Sequence, residues 1–155
     1  MKGNEKVIAT LNDLLSDELT AVNQYMVHAG MDENWGYEKL HDAVEKRAIT
    51  EMKHAESLID RLLFLEGVPI VSNLKKINIG AKVEAQLAHD LEAEIDAIKG
   101  YNAGIKLAVE VGDNGTRELF ESILKDEEEH VDWLEAQLDQ IAQMGISDYL
   151  GEQLS

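Results

Sequence analysis

The stretch Glu51-Met52-Lys53-His54 is a Glu-x-x-His motif, and a second such motif, Glu127-Glu128-Glu129-His130, stands 76 residues later in the chain. Two further glutamates share this offset, since Glu18 precedes the first motif by 33 residues and Glu94 precedes the second motif by 33 residues. The offset also relates two tyrosines, Tyr25 and Tyr101. Four matching pairs predict two similar helical halves that deliver the same groups to one shared centre.

The composition suits a single all-helical domain that spans residues 1–155. The chain contains 1 Pro and no Cys, so no disulfide framework is expected. A chain of this length can bury roughly two thirds of the surface that its unfolded form exposes. No apolar run approaches the ~20 residues needed to cross a bilayer, and none follows the N-terminus as in a signal peptide. We therefore expect a soluble, cytoplasmic protein without a membrane partner.

The charge of the chain bears on its partners. The formal net charge is −17, which argues against nucleic-acid binding, because such binding needs lysines and arginines to displace counterions from phosphate. The negative charge favours the attraction of small cations. Since acidic surfaces also serve solubility alone, the charge by itself supports a metal-handling role only weakly.

Apolar residues at helical spacing predict four long helices and a short fifth one. The predicted helices cover about residues 5–32, 35–66, 81–111, 116–144 and 147–153, with Thr116 and Ser147 as the N-caps of the last two. The short link after the first helix favours an antiparallel hairpin. Residues 68–80 are apolar without a helical period, which predicts a long crossover along the bundle. Four long helices with a long central connection describe a ferritin-like four-helix bundle.

Each of the four glutamates falls on the apolar, core-facing stripe of its helix, since a helix presents nearly the same face every seven residues. Glu18, for example, lies midway between Leu11 and Tyr25. The other three have the same relation to apolar neighbours: Glu51, Glu94 and Glu127. Two histidines each follow a glutamate by one turn and share its face: His54 and His130. The sequence thus directs six metal-binding side chains into one core.

Four carboxylates in one core need compensation, because a buried and unpaired carboxylate costs several kcal/mol. Few basic residues are expected to compete for this task. With two neutral imidazoles the site would carry four negative charges, which two divalent cations would cancel. Oxygen and nitrogen donors without thiolate suit iron or manganese better than copper(I) or structural zinc. We therefore predict a dinuclear metal site; protonated or surface glutamates are the alternative.

Other residues near the predicted ligands have alternative roles in this interpretation. Tyr25 and Tyr101 lie two turns after Glu18 and Glu94, so they either approach the metals or donate one buried hydrogen bond. The acidic neighbours of Glu127 are predicted to form a solvated face: Asp126, Glu128 and Glu129. Three histidines without a partner at metal spacing are expected to lie at the surface or to form hydrogen bonds: His28, His41 and His89.

Met52 points about 100° away from the adjacent Glu51 around its helix. It therefore faces a second apolar strip that also contains Ile49 and Ile59. Methionine commonly fills gaps at apolar contacts. From the pattern alone, Met52 is predicted to contact a partner subunit.

From end to end the chain resembles a bacterioferritin. The matching stretches include Glu18-Leu-Thr-Ala-Val-Asn-Gln-Tyr25, Glu51-Met-Lys-His-Ala55, Leu63-Phe-Leu-Glu-Gly67, Asn78-Ile-Gly80 and Asp126-Glu-Glu-Glu-His-Val-Asp-Trp-Leu-Glu135, together with Met1-Lys-Gly3. The resemblance implies a homo-oligomeric shell of 24 subunits built from twofold dimers. In such a shell, ferrous iron is oxidised with dioxygen or peroxide and stored as a ferric mineral.

The resemblance also implies roles for individual residues. One iron would be bound by Glu18, Glu51 and His54, and the other by Glu94, Glu127 and His130. Glu51 and Glu127 would bridge the two Fe ions of each subunit. Met52 from each of two subunits would be an axial ligand of one shared b-type haem. A ferredoxin-type reductant is the expected partner for iron release.

Two departures limit what the resemblance implies. Some relatives have a His and an Asp that form an extra iron site on the inner surface, where this chain has Lys46 and Thr50. That extra site is therefore not expected here. Near the C-terminus, Asp148 and Gly151 replace polar residues that line the fourfold channel in some relatives, so the ion preference of that channel stays open.

Three other functions use parts of the same pattern. A rubrerythrin-like di-iron peroxidase or oxygenase would react at these ligands without storing iron, although such proteins often add a cysteine-ligated iron domain, and this chain has no Cys. A haem protein could use its shell mainly as a scaffold for electron transfer. A DNA-protecting mini-ferritin is disfavoured, because its ligands come from two subunits, whereas this chain contains a full set.

Overall fold

The computed structural model describes all 155 residues and is entirely helical apart from its connections. The helices are α1 (Glu5–Asn34), α2 (Glu38–Phe64), α3 (Val83–Val111), α4 (Asn114–Met144) and α5 (Ile146–Gly151). The most extensive contacts join α1 to α2 and α3 to α4, and α1 also packs on α3. This arrangement confirms the predicted four-helix bundle with a long crossover and a short fifth helix. None of the helices is long and apolar enough to span a bilayer.

Two helix starts differ from the sequence prediction because other residues supply the caps. Thr116 is not the N-cap of α4, since the Asp113 carboxylate accepts a hydrogen bond from the Thr116 N–H at 3.0 Å and caps the helix three residues earlier. The same carboxylate accepts a hydrogen bond from Arg61 at 2.8 Å, which ties the start of α4 to α2. Ser147 is likewise not a cap, because α5 already begins after Gly145.

Helix α2 is shorter than predicted at both ends because of backbone conformation. Gly36 has φ +85°, a left-handed conformation that a helix interior does not contain, so α2 begins only at Glu38. At the other end Glu66 has φ +61°, and the helix stops at Phe64. Helix α3 likewise begins two residues later than predicted, at Val83.

The crossover between α2 and α3 is held by a row of polar side chains on α1, which we call the α1 polar row. Its members stand at four-residue intervals and therefore share one face: Asn12, Ser16, Thr20, Gln24 and His28. They bond crossover backbone groups at 2.8–3.1 Å: Val68 C=O, Ile70 N–H, Asn73 C=O, Lys75 N–H, Asn78 N–H and Gly80 N–H. These bonds satisfy main-chain groups that an extended segment would otherwise leave unpaired.

The apolar core is interrupted at the level of the four glutamates. The largest cluster of buried apolar residues includes Leu14, Leu58 and Ile123, and two smaller clusters lie beyond it, around Val44 and Leu134. Along every long helix, the glutamate falls between a residue of the largest cluster and a residue of a smaller one. Apolar packing on both sides therefore fixes the four helices at the depth where the carboxylates meet.

We expect Gly80→Ala to destabilise the protein, because an added Cβ would lie 2.3 Å from the Gln86 backbone nitrogen and 2.7 Å from the Ala85 carbonyl carbon. Main-chain atoms cannot rotate aside, and overpacking of this kind costs about 1–3 kcal/mol. Thermal unfolding followed by circular dichroism measures the loss.

The matched control is Gly30→Ala, since a Cβ at this exposed helical position meets no atom within 4 Å. This change should leave the unfolding midpoint unchanged or raise it, because Ala favours a helix over Gly by about 1 kcal/mol. Equal midpoints for the two variants would show that the crossover can shift away from α3 at no cost.

Candidate metal centre

Six buried side chains, one or two from each long helix, converge in the interrupted layer of the core: Glu18, Glu51, His54, Glu94, Glu127 and His130. Their ligand atoms form two groups, each with its atoms within 4.8 Å of one another. The first group is Glu18, Glu51, His54 and Glu127, and the second group is Glu51, Glu94 and His130. The structure therefore brings together all six residues that the sequence predicts as ligands.

The two groups share Glu51, which fits its predicted bridging position. Glu127 falls in the first group, whereas the resemblance implied that it serves the second iron and bridges. Its Oε1 lies 3.1 Å from the His54 Nδ1, and its Oε2 lies 3.4 Å from Arg47 Nη2, which also contacts Glu51 and Glu94 of the second group. The arrangement thus offers two adjacent cation positions, which we call the first and second positions after their ligand groups.

Both histidines turn Nδ1 toward the carboxylates. His130 Nδ1 lies 3.1 Å from Glu94 Oε1. The other ring nitrogen of His54, Nε2, lies 2.8 Å from the Asp126 Oδ2. Asp126 was predicted to belong to a solvated face, and its side chain is 46% exposed, yet it also orients a ligand histidine. A carboxylate on the outer nitrogen of a ligand imidazole fixes the ring and its tautomer.

The two tyrosines connect the halves of the site crosswise. Tyr25 on α1 donates a hydrogen bond to Glu94 on α3, and Tyr101 on α3 donates one to Glu18 on α1 at 2.5 Å. Burial raises the pKa of both phenols well above the usual value, with nearby carboxylates adding to the shift. Both hydroxyls therefore keep their protons and hold two of the carboxylates in place, as the buried hydrogen-bond interpretation predicted.

Arg47 is the residue of the site that the sequence prediction missed. Its Nη2 lies 2.6 Å from Glu51 Oε1 and 3.7 Å from Glu94 Oε2, in addition to its contact with Glu127. The expectation that few basic residues would compete for the carboxylates was therefore wrong in this one case. The available signal was spacing, because Arg47 stands four residues before Glu51 and shares its helix face.

Several polar atoms of this layer are buried without an aligned hydrogen bond, although some of them lie close to Arg47 or to one another. They are Glu18 Oε2, Glu51 Oε1, Glu94 Oε2, both Glu127 oxygens, His54 Nδ1 and His130 Nδ1. Buried polar atoms without partners are rare in folded proteins, because each costs the free energy of its lost hydration. Hard oxygen donors with two imidazole nitrogens would be satisfied together by two divalent cations of the iron or manganese type.

Known proteins share this layout. A family profile described as a ferritin-like domain matches residues 8–144. A bacterioferritin from Brucella melitensis is 42% identical over 149 residues, which cover 96% of this chain and 92% of the relative. A bacterioferritin from Rhodobacter capsulatus is 43% identical over 145 residues, which cover 94% and 90%. The chain belongs to the bacterioferritin family.

A third relative agrees, since bacterioferritin BfrA of Mycobacterium tuberculosis is 38% identical over 154 residues, which cover 99% of this chain and 93% of the relative. Family membership confirms the resemblance inferred from the motifs. It supports a role in iron storage, and proteins of the ferritin family generally form multimeric shells.

The electrostatics of this bacterioferritin-family site differ between its residues. Burial raises the pKa of Glu18 well above its usual value, and the neighbouring Glu51 and Glu127 carboxylates raise it further. Burial lowers the pKa of His54, but the close Glu127, Glu18 and Glu51 carboxylates outweigh it and raise the pKa to about 12. For His130, burial and then the Arg47 charge lower the pKa to about 4. His130 is therefore neutral at pH 7, whereas Glu18 and His54 hold protons in the absence of metal.

Two openings connect the site with the surface. A narrow cavity of about 130 Å³ reaches the four glutamates from the side of α1 and α3, past Asp17, Lys75 and His89. An open cleft of about 560 Å³ lies on the opposite side and reaches Arg47 and His130.

Two of the remaining histidines form hydrogen bonds away from the site. His28 is buried between Asp90 at 2.9 Å and the Gly80 N–H, and His41 Nδ1 lies 2.9 Å from the Ala29 carbonyl oxygen.

Met52 lies on the outer surface of the bundle rather than near the metal-binding layer. Its side chain is 45% exposed, and Ile49 on the same face is 42% exposed. Ile59, the third member of the predicted apolar strip, instead packs partly against the core. The exposed apolar residues of α2 thus include Ile49 and Met52, and Leu63 and Phe64 at the end of the helix are exposed as well.

We expect the thermal stability of the metal-free protein to fall as the pH rises above 4.5, the ordinary pKa of the Glu18 carboxyl. Because the folded state raises that pKa, the bound proton stabilises the fold, and this contribution is lost as the pH passes the folded value. Glu18→Gln should flatten the curve, since Gln resembles the protonated side chain. Unfolding midpoints in the presence of a chelator, measured from pH 5 to 9, check this.

Glu128→Gln serves as the control, since it removes an acidic group from the exposed face of the same motif. Its pH profile should parallel that of the unmodified chain. Added Co²⁺ should reverse the decline for the unmodified chain because the cation replaces the lost protons. A Glu18→Gln profile as steep as the control would contradict the assignment of the proton to this site.

Proposed function

We propose that this chain is a ferroxidase and iron store in which residues 1–155 form one di-iron domain. Two ferrous ions bind as substrates to Glu18, Glu51, His54, Glu94, Glu127 and His130, are oxidised there, and pass on to a ferric mineral inside a shell of 24 identical subunits. The observation that supports this most directly is the set of buried carboxylate and imidazole atoms without partners, grouped around two adjacent positions.

The charge of the ligands favours oxidation. Coulomb attraction to the carboxylates grows with the charge of the ion, so the site stabilises the ferric product more than the ferrous substrate. Low solvent access strengthens this difference, because the four glutamates are buried. The two adjacent positions also match the number of electrons required. Two ferrous ions together supply two electrons, which reduce dioxygen to hydrogen peroxide or hydrogen peroxide to two water molecules, with the uptake of two protons in either case.

Tyr25 has a positioning role in this proposal. Its hydroxyl holds Glu94, while Tyr101 holds Glu18, so that one carboxylate at each position keeps a fixed orientation. The removal of such a hydrogen bond to a metal ligand typically changes metal affinity or activity 10- to 100-fold.

The cavity lined by Asp17 and Glu18 supplies a negatively charged route along which ferrous ions can reach the buried layer.

A b-type haem shared between two subunits is the second cofactor that we propose. The exposed Met52 fits this role, because its thioether is a known axial ligand of haem iron and stands on an apolar surface where a twofold-related copy would bring a second Met52. The haem supplies one-electron redox chemistry when bound. Together with a ferredoxin-type reductant, it would return electrons for the release of stored iron.

We expect Glu18→Ala and His130→Ala to slow ferrous oxidation at least about tenfold, because each change removes a ligand from one of the two positions. Glu128→Ala is the control, since this neighbouring carboxylate is exposed. Stopped-flow absorbance of the ferric product gives the rates, and size-exclusion chromatography verifies assembly. Unchanged oxidation rates in correctly assembled Glu18→Ala protein would overturn the site assignment.

Aerobic titration of the metal-free protein with ferrous iron, followed by sizing of the product and measurement of its iron content, decides between storage and its main alternative. Iron retained far beyond two ions per chain, in a large assembly, would establish a store. Oxidation that stops near two ions per chain would instead favour a rubrerythrin-like peroxidase or oxygenase. Normal haem content with no ligand-dependent oxidation would favour an electron-transfer scaffold.

Met52→Leu should abolish haem binding and leave ferrous oxidation unchanged, because the side chain lies outside the metal-binding layer. The control is Met144→Leu, since Met144 is similarly exposed at 42% but lies at the end of α4. Reconstitution with haem followed by Soret absorbance measures binding, with one haem per two chains expected. Equal haem binding by both variants would exclude Met52 as the axial ligand.

A further inference from the structure

Arg47 places a positive charge among the carboxylates of the proposed di-metal site. Its side chain is only 12% exposed, and Nη2 contacts three of the four glutamates. Neither Nε nor Nη2 has an aligned hydrogen-bond partner, although Nη2 lies 2.6 Å from Glu51. The guanidinium is thus held mainly by charge, without the paired, parallel hydrogen bonds of a permanent arginine-carboxylate bridge.

The guanidinium adjoins every ligand of the second position, since His130 lines the same cleft as Arg47, but it contacts only two of the four ligands of the first position. Glu51 and Glu94, two of the three ligands of the second position, both lie within 3.7 Å of Nη2. At the first position, Arg47 shares Glu51 and Glu127, whereas Glu18 and His54 have no ion pair with it. A cation bound between Glu51, Glu94 and His130 would therefore compete with Arg47 for the same oxygen atoms.

Charge makes this competition unavoidable. Two divalent cations cancel the four carboxylates, so the Arg47 charge would then be in excess beside two cations. Like charges in a buried site of low dielectric repel strongly. One divalent cation leaves two carboxylate charges uncompensated, and Arg47 can remain in place beside it.

The fold offers Arg47 a place to move. The open cleft of about 560 Å³ is lined by Arg47 itself and by Lys46, Thr50, Asp126, Glu129 and His130, among others. Arg47 Nη1 already donates a hydrogen bond to the Asp126 carbonyl oxygen at 3.1 Å. The Glu129 carboxylate lines the same cleft and offers the guanidinium a negatively charged partner when the long side chain rotates outward.

We propose that Arg47 is an internal counter-ion that occupies the second metal position in the metal-free protein and moves into the adjoining cleft when the second cation binds. The two positions then fill in order. The first cation binds to Glu18, Glu51, His54 and Glu127, and the second binds more weakly because it must displace Arg47. This inference rests on the di-metal site proposed above, and it makes Arg47 a determinant of how readily both positions are filled together.

Titration of the metal-free protein with Co²⁺, followed by ligand-field absorbance, tests the order of binding. The unmodified chain should bind one Co²⁺ per subunit at least about tenfold more tightly than the second. Arg47→Gln should tighten the second step at least about tenfold and bring the two steps together. Lys46→Gln is the matched control. It removes one positive charge from the wall of the same cleft, and the buried glutamates keep their contacts with Arg47.

The unfolding midpoint provides a second test that does not depend on the Co²⁺ affinities. Arg47→Gln should lower the unfolding midpoint of the metal-free protein, because the carboxylates lose their counter-ion, and Co²⁺ should restore it. Arg47→Lys retains the charge, so it should keep unequal binding steps and remain informative if the Gln variant does not fold.

The outcomes separate this inference from the proposed function. Two Co²⁺ steps with the same affinity ratio in the unmodified chain, Arg47→Gln and Lys46→Gln would overturn the role of Arg47 and leave the di-metal site intact. Binding of fewer than two Co²⁺ per subunit in every variant would overturn the di-metal site and, with it, this inference.

Discussion

Mutual repulsion among four carboxylates in one buried layer is the constraint on which the rest of the structure depends. The bundle brings Glu18, Glu51, Glu94 and Glu127 together because apolar clusters on both sides of the layer fix the helices. Without metal, the repulsion is relieved by retained protons, by two tyrosine hydroxyls and by one arginine. Each of these is a weaker partner than a divalent cation, so the proposed metal ions would replace them.

The two halves of the chain are similar but not equivalent at the site. The crosswise hydrogen bonds from Tyr25 and Tyr101 obey the 76-residue offset. The offset carries Arg47 onto Ile123, however, and Asp126 onto Thr50, so one half has a charge where the other has a buried apolar or a neutral polar side chain. An internal repeat thus yields two adjacent positions with different electrostatics, which agrees with the proposed stepwise binding of two ions.

Periodicity predicted the helices, the crossover and the six converging side chains, because both the offset and the helical face can be read from residue numbers. The contacts of Arg47 and Asp126 were missed because they depend on side chains that reach between helices, and apolar stripes do not report them. The ends of α2 were misplaced for a different reason. They follow from positive φ at Gly36 and Glu66, which propensity alone does not fix.

The α1 polar row has a consequence for solubility. The crossover is extended and exposes Val68, Val71 and Leu74, a combination that ordinarily invites strand pairing between chains. Because the polar row already binds main-chain N–H and C=O groups from Val68 to Gly80, these groups cannot serve as a template for a neighbouring strand. Helix α1 therefore shields the non-helical crossover from strand pairing with another chain, which would lead to aggregation.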